Sequence, residues 1–351
     1  METEEILYIG FNKDRTLLTT GSRAGFKVFK VWPIELLHHD DNGNFKIVEM
    51  YESSQLIVLV GAGEQPAFSP RRLTIWNLAE RTPICETSFP DSILAVKMNR
   101  VRIVAVICDG IYIYDTTTMK TVGTLKTVNN PKGIAALSPS HSACWLLYPS
   151  SEERGNFHIY DCFSFQHRIE VVAHNSKLAF ISISAQGDLC ATASEKGTVI
   201  RVFSVPEGNK IYTFKRGLMT ALTYSMSFSL NGDLLMSCSD TGTIHIYNIS
   251  REDISEKRSW GDMIKTSIFS AASLVVPESY KDSFETSRSY IVVRTNFQSP
   301  YTATLVPDSN YLFALNNFGK YMVFRLDYNN GGEGVILQEG DINMVHTVNE
   351  A

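Results

Sequence analysis

Along the chain one short pattern of apolar and polar positions appears seven times. A glycine or turn residue is followed by apolar side chains at every second position, ending in an apolar–aromatic pair. The copies are GFKVFKV ending at Val31, RRLTIWNL at Leu78, DGIYIYDT at Thr116, NFHIYDC at Cys162, GTVIRVFSV at Val205, GTIHIYNI at Ile249 and GKYMVFRL at Leu326. Period-two alternation rich in β-branched and aromatic residues predicts a strand at each copy. The aromatic markers are Phe29, Trp76, Tyr114, Tyr160, Phe203, Tyr247 and Phe324, at intervals of 47, 38, 46, 43, 44 and 77 residues. All but the last lie near the length of a four-stranded propeller blade.

Upstream of the fifth and sixth markers a second phrase recurs, Ile181-Ser182-Ile183-Ser184-Ala185-Gln186-Gly187-Asp188 and Met226-Ser227-Phe228-Ser229-Leu230-Asn231-Gly232-Asp233. Strand, x-G-D turn, small-residue strand, x-G-T, then a third strand is WD-repeat grammar without the Trp-Asp dipeptide. The prediction is all-β: one seven-bladed propeller over residues 1–351, closed into a ring so that few strand edges are exposed, with an open sandwich as the alternative. The interval of 77 leaves an excess between Ser250 and Tyr290. An insertion and a degenerate eighth blade both account for it. The preferred reading is a long loop of blade six, residues 251–288.

Composition narrows the function. With 44% hydrophobic and 20% charged residues, the chain can bury a large core. A net charge of −5 argues against a general nucleic-acid binder, which needs excess cations to displace counterions, so any anion site has to be local. The acidic start Met1-Glu2-Thr3-Glu4-Glu5 is unlike a signal peptide, and no apolar run reaches the length of a membrane-spanning helix. A cytosolic protein is expected. Six cysteines without a C-x-x-C pair suggest buried reduced thiols, with no metal and no cofactor. Phosphate-binding, nucleophile-elbow, zincin and dinucleotide motifs are absent, and no acidic or histidine cluster repeats by blade. No enzyme is expected.

One cationic motif stands out: Phe214-Lys215-Arg216-Gly217. Neighbouring strand residues point to opposite faces, so Lys215 and Arg216 can serve two separate anion sites. By itself the dipeptide also fits a solvated surface.

Here the chain resembles the PROPPIN family, the phosphoinositide-binding β-propellers of autophagy and endolysosomal membranes, whose signature is F-R-R-G or L-R-R-G. The resemblance extends to Ala193-Ser194-Glu195-Lys196-Gly197-Thr198-Val199-Ile200-Arg201-Val202-Phe203, to Tyr224-Ser225-Met226-Ser227-Phe228-Ser229, to Gly242-Thr243-Ile244-His245-Ile246-Tyr247, and to the phrases of the first two blades. It implies two head-group pockets at the rim of blades five and six. The first would hold Ser194, Thr198, Arg201 and Lys215; the second Arg216, Ser239, Thr241, Thr243 and His245. Cations would neutralise phosphomonoesters, hydroxyls would donate single bonds, and His245 could become cationic beside a phosphate.

Each residue has a structural alternative. The hydroxyls could satisfy turn backbone, His245 could belong to a hydroxyl–histidine network bracing the blade, and Arg201 could pair with a carboxylate. Lys215 replaces the first motif arginine and loses the planar fork, so the first pocket is expected to be the weaker.

The resemblance further implies membrane insertion by the sixth-blade loop, with Trp260, Met263, Ile264, Ile268 and Phe269 as inserters unless they fold back on the wall. The expected ligands are phosphatidylinositol 3-phosphate and its 3,5-bisphosphate. The expected setting is the surface of autophagosome precursors, endosomes or vacuoles and lysosomes, with a lipid-transfer or conjugation-machinery protein as partner. The rival reading is a WD-like scaffold that binds only proteins.

Overall fold

The computed structural model describes residues 5–50, 52–65, 67–139, 143–249 and 286–345. The chain forms seven sheets, each built on four antiparallel strands; the sheets of blades five and six carry in addition a short fifth strand paired in parallel at the edge. They are blades one (6–40), two (45–88), three (95–126), four (136–174), five (178–215), six (223–248 with 291–294) and seven (301–341). All seven aromatic markers fall on the third strand of their blade.

The second strands are the most enclosed, as in Leu189–Ser194, where every residue is buried. The fourth strands are the most exposed, as in Thr82–Ser88 and Val335–Asp341, where no residue is buried. The fourth strand of each of these blades thus forms its outer edge. Both faces of each blade carry apolar residues, and the core is divided into clusters, one between each pair of neighbouring blades. The cluster of Leu18, Phe29, Val31, Phe313 and Val323 joins blade seven to blade one. With the backbone bond from Ile6 N to Asn317 O at 2.8 Å, it closes the ring.

The recurrent turn phrase has a local cause. Ser184 Oγ accepts the backbone N–H of Leu189 at 3.1 Å, and Ser229 Oγ accepts that of Leu234 at 2.9 Å. Asn12, Asn99 and Ser138 do the same in blades one, three and four, for Leu17, Arg102 and Trp145. All five are buried. A buried polar side chain thus supplies the partner that the first turn of these blades would otherwise lack.

Blade six departs from the consecutive order. Its third strand ends at Asn248 and its fourth is Ile291–Arg294. Before that fourth strand, Thr286–Ser287 pairs in parallel with Thr213 and Phe214 at the outer edge of blade five. The long interval therefore contains blade six's displaced fourth strand. Residues 251–285 of the expected loop lie outside the described residues, and with them Trp260, Met263, Ile264, Ile268 and Phe269. All six cysteines are free thiols; Cys144, Cys162, Cys190 and Cys238 are buried as expected, whereas Cys85 and Cys108 are half-buried.

Candidate functional site

Strand register assigns the motif's neighbours to two clefts. In blade five, Arg201 lies between Thr192 and Thr213, and Lys215 lies opposite Val199. Directly opposed residues share a face, so Ser194, Arg201 and Lys215 stand on the face toward blade four. Ile200, Val202 and Phe214 stand on the other face and pack against Met226, Leu235 and Tyr247 of blade six. In blade six, Ser239, Thr243 and His245 share Tyr247's face, toward blade five, because Ser237 opposes His245 and Thr243 opposes Arg294.

Phe214 fixes the motif. It is buried, and its ring stacks on Tyr247 at 4.6 Å and on Tyr212 at 5.4 Å. Lys215, the last residue of its strand, is exposed. Arg216 follows the strand and is 8% exposed. Its backbone N–H donates to Thr198 O at 2.9 Å, its Nε to Gly197 O at 2.6 Å, and its Nη2 to Met219 O. Burial lowers its proton affinity, opposed by Tyr247 and Asp240. Gly197 makes this possible. Its φ is +59°, and a Cβ there would lie 1.9 Å from Ala221 O, so no other residue type fits.

In the cleft toward blade four, Arg201 Nη1 donates to Ala173 O at 2.7 Å and to His174 Nδ1 at 3.1 Å. A guanidinium has only donors, so His174 carries its proton on Nε2 and donates it to Thr192 Oγ1 at 2.9 Å. His174 thus makes a hydroxyl–histidine brace of the kind considered for His245. Beside it is a cleft of about 300 Å³ lined by Glu170, His174, Asn175, Arg201 and Lys210 among others. Ser194, Thr198 and Lys215 sit apart from Arg201, around the turn at 195–198, where Gly197 N donates to Ser194 O.

In the cleft toward blade six, Ser239 Oγ and Thr241 Oγ1 are 2.9 Å apart, and Thr241 is exposed at the turn while Thr243 is half-buried. His245 Nδ1 is 3.2 Å from Ser289 Oγ. Burial, with the Arg216 charge second, pushes the His245 imidazole down to about 4, so the ring is neutral at pH 7 until a phosphate beside it raises its proton affinity. Sequence reading missed His174, Lys210, Tyr247 and Ser289. The first three carried signals of a kind, since His174 and Lys210 flank blade five's phrases and Tyr247 is itself a marker. Ser289 carried none.

Among the described residues no group of three or more His, Cys, Asp or Glu could hold a metal ion, and no helix is long and apolar enough to cross a membrane.

The family model for PROPPIN matches residues 6–342. The chain belongs to the PROPPIN family. Among its relatives is the autophagy-related protein 18 of Dictyostelium discoideum, 36% identical, with 97% of this chain aligned to 94% of that one. Autophagy-related protein 18b of Arabidopsis thaliana is 34% identical, covering 97% of this PROPPIN and 96% of the relative. Among solved structures, Kluyveromyces lactis Hsv2 with its complete loop 6CD has a TM-score of 0.78 at 19% identity, over 97% of this chain and 99% of that one. A complex of KlAtg21 with the coiled coil of AgAtg16 has a TM-score of 0.76 at 23% identity, over 96% and 99%. Both share the propeller fold. As a PROPPIN, the protein is a non-enzymatic propeller.

Proposed function

We propose that this PROPPIN is a membrane-recruited effector in autophagy or endolysosomal traffic. It binds phosphatidylinositol 3-phosphate, the 3,5-bisphosphate, or both, through the two clefts flanking blade five. The observation that carries this reading is the splitting of one dipeptide: Lys215 shares the blade-four face with Ser194 and Arg201, while Arg216 acts electrostatically on His245 and Tyr247 across the other cleft. The first cleft then has Arg201 and Lys215 and the second Arg216 to meet a phosphomonoester, each with hydroxyls at its turn to orient it.

A second surface is assigned to a protein partner. The KlAtg21 structure holds the coiled coil of AgAtg16, and a partner from the autophagy machinery, for lipid transfer or conjugation, would leave the head-group clefts free. The membranes expected are those of autophagosome precursors, endosomes and vacuoles or lysosomes.

Flotation with liposomes tests the reading. The wild type should float with vesicles bearing 3-phosphorylated phosphoinositides and not with vesicles lacking them. Lys215→Thr combined with Arg216→Thr should abolish flotation while leaving partner binding intact at a temperature where a melt shows the variant folded. A wild type that never floats would leave the protein-only scaffold as the function.

A further inference from the structure

The chain immediately after the motif turns apolar side chains outward. Leu218 is 82% exposed, Met219 78% and Leu222 45%, whereas Ala221 between them is buried. This is a held loop. Gly217 N reaches Thr198 O at 3.4 Å, Ala221 N donates to Lys196 O at 3.1 Å, and Asp240 N donates to Leu222 O at 3.0 Å. From within, the Arg216 guanidinium holds Met219 O. The loop is thus clamped between the turn of blade five (195–198) and the turn of blade six (240–242). Those two turns carry or adjoin Ser194, Thr198, Ser239, Thr241 and Thr243.

We infer that Leu218, Met219 and Leu222 form a membrane-inserting knob, separate from the 251–288 stretch and set between the two head-group clefts. This rests on the phosphoinositide reading of those clefts. The occupant is a lipid surface because of what surrounds the knob. Lys196 and Lys215 are exposed beside it, and of the nearby acids Glu195 is paired with Lys132 at 2.9 Å, leaving Asp240 at the blade-six turn. An exposed apolar tip flanked by Lys196 and Lys215 matches an interface with anionic head groups outside and hydrocarbon beneath. Gly217 agrees with a close approach: its φ is outside the left-handed region and a Cβ there would meet nothing within 4 Å, so the fold itself does not require glycine. Holding the tip in place beforehand removes ordering entropy from the binding step.

The test compares wild type with Leu218→Ser plus Met219→Ser in flotation on vesicles with and without 3 mol-fraction levels of phosphatidylinositol 3-phosphate, low, medium and high. The double variant should partition about tenfold more weakly at each level, as expected for losing two interfacial apolar side chains. Its thermal midpoint should match wild type, since both side chains are solvent-exposed. A second readout places an environment-sensitive dye at Met219→Cys in a chain with Cys85→Ser and Cys108→Ser, and its emission should shift to the blue on phosphoinositide vesicles. Undiminished flotation of the double variant, or unshifted emission on vesicles that do bind the protein, overturns the knob. Failure of the wild type to bind any vesicle would instead overturn the head-group reading on which it rests.

Discussion

Blade five has two faces, and its neighbours complete them differently. Toward blade four, Lys215 is open to water and Arg201 is braced from one side by Ala173 O and His174. Toward blade six, Arg216 is buried, its guanidinium is committed to Gly197 O and Met219 O, and the facing His245 is neutral. The first cleft offers charge with mobility, the second charge already fixed in place. An exposed cation contributes little to the fold and can turn fully to a ligand. A buried one is part of the fold and brings little reorganisation to binding. One dipeptide thus divides between recruitment and architecture, which a reading of charge alone does not distinguish.

Arg216→Ala breaks this contrast with the largest effect. It leaves two backbone carbonyls without their donor and should cost about 3 kcal/mol of stability, together with loss of flotation. A thermal melt beside the flotation assay checks both. Lys215→Ala, in contrast, should leave the melt unchanged.

His245 gives the next effect. The fold depresses its imidazole from 6.5 to about 4, so the folded state favours the neutral form. That contribution is complete above about 6.5 and is lost as pH falls from there toward 4, to the extent of about 2 kcal/mol after screening. His245→Gln should remove this part of the acid sensitivity, measured as a smaller fall in unfolding free energy over that window than in wild type. An equal fall in both would show that other groups set it. For binding, a phosphate has to raise His245 from about 4 past 6 before an imidazolium contributes at pH 6.

The smallest effect sharpens the comparison. Lys215→Arg restores the fork in the open cleft and should tighten vesicle binding a few-fold without moving the melt. Unchanged or weaker binding would detach Lys215 from the first pocket.

Much of the ring was legible in the sequence because each third strand alternates apolar and polar positions and ends in a large aromatic, so Phe29 through Phe324 mark every blade. The fourth strand of blade six was not, because Ile291–Arg294 is only four residues long and is far in sequence from its partner Thr243–Asn248. In the site, Lys215 and Arg216 were legible as opposed neighbours on a strand end. That Arg216 is structural was not: its partners are carbonyls at Gly197 and Met219, and a carbonyl leaves no trace in sequence. The contact of Arg201 with His174 crosses from one blade to the next, where no period applies.

Ring closure has a consequence for cooperativity. A linear array of repeats has two terminal units with one neighbour each, which fray first and need polar caps. Here the packing of Leu18, Phe29 and Val31 against Phe313 and Val323 gives the first and last blades the same number of neighbours as any other. Detaching one blade has to break two interfaces at once, so the ring has no end from which to unravel, and the seam between blades seven and one sets how nearly all-or-none its unfolding is.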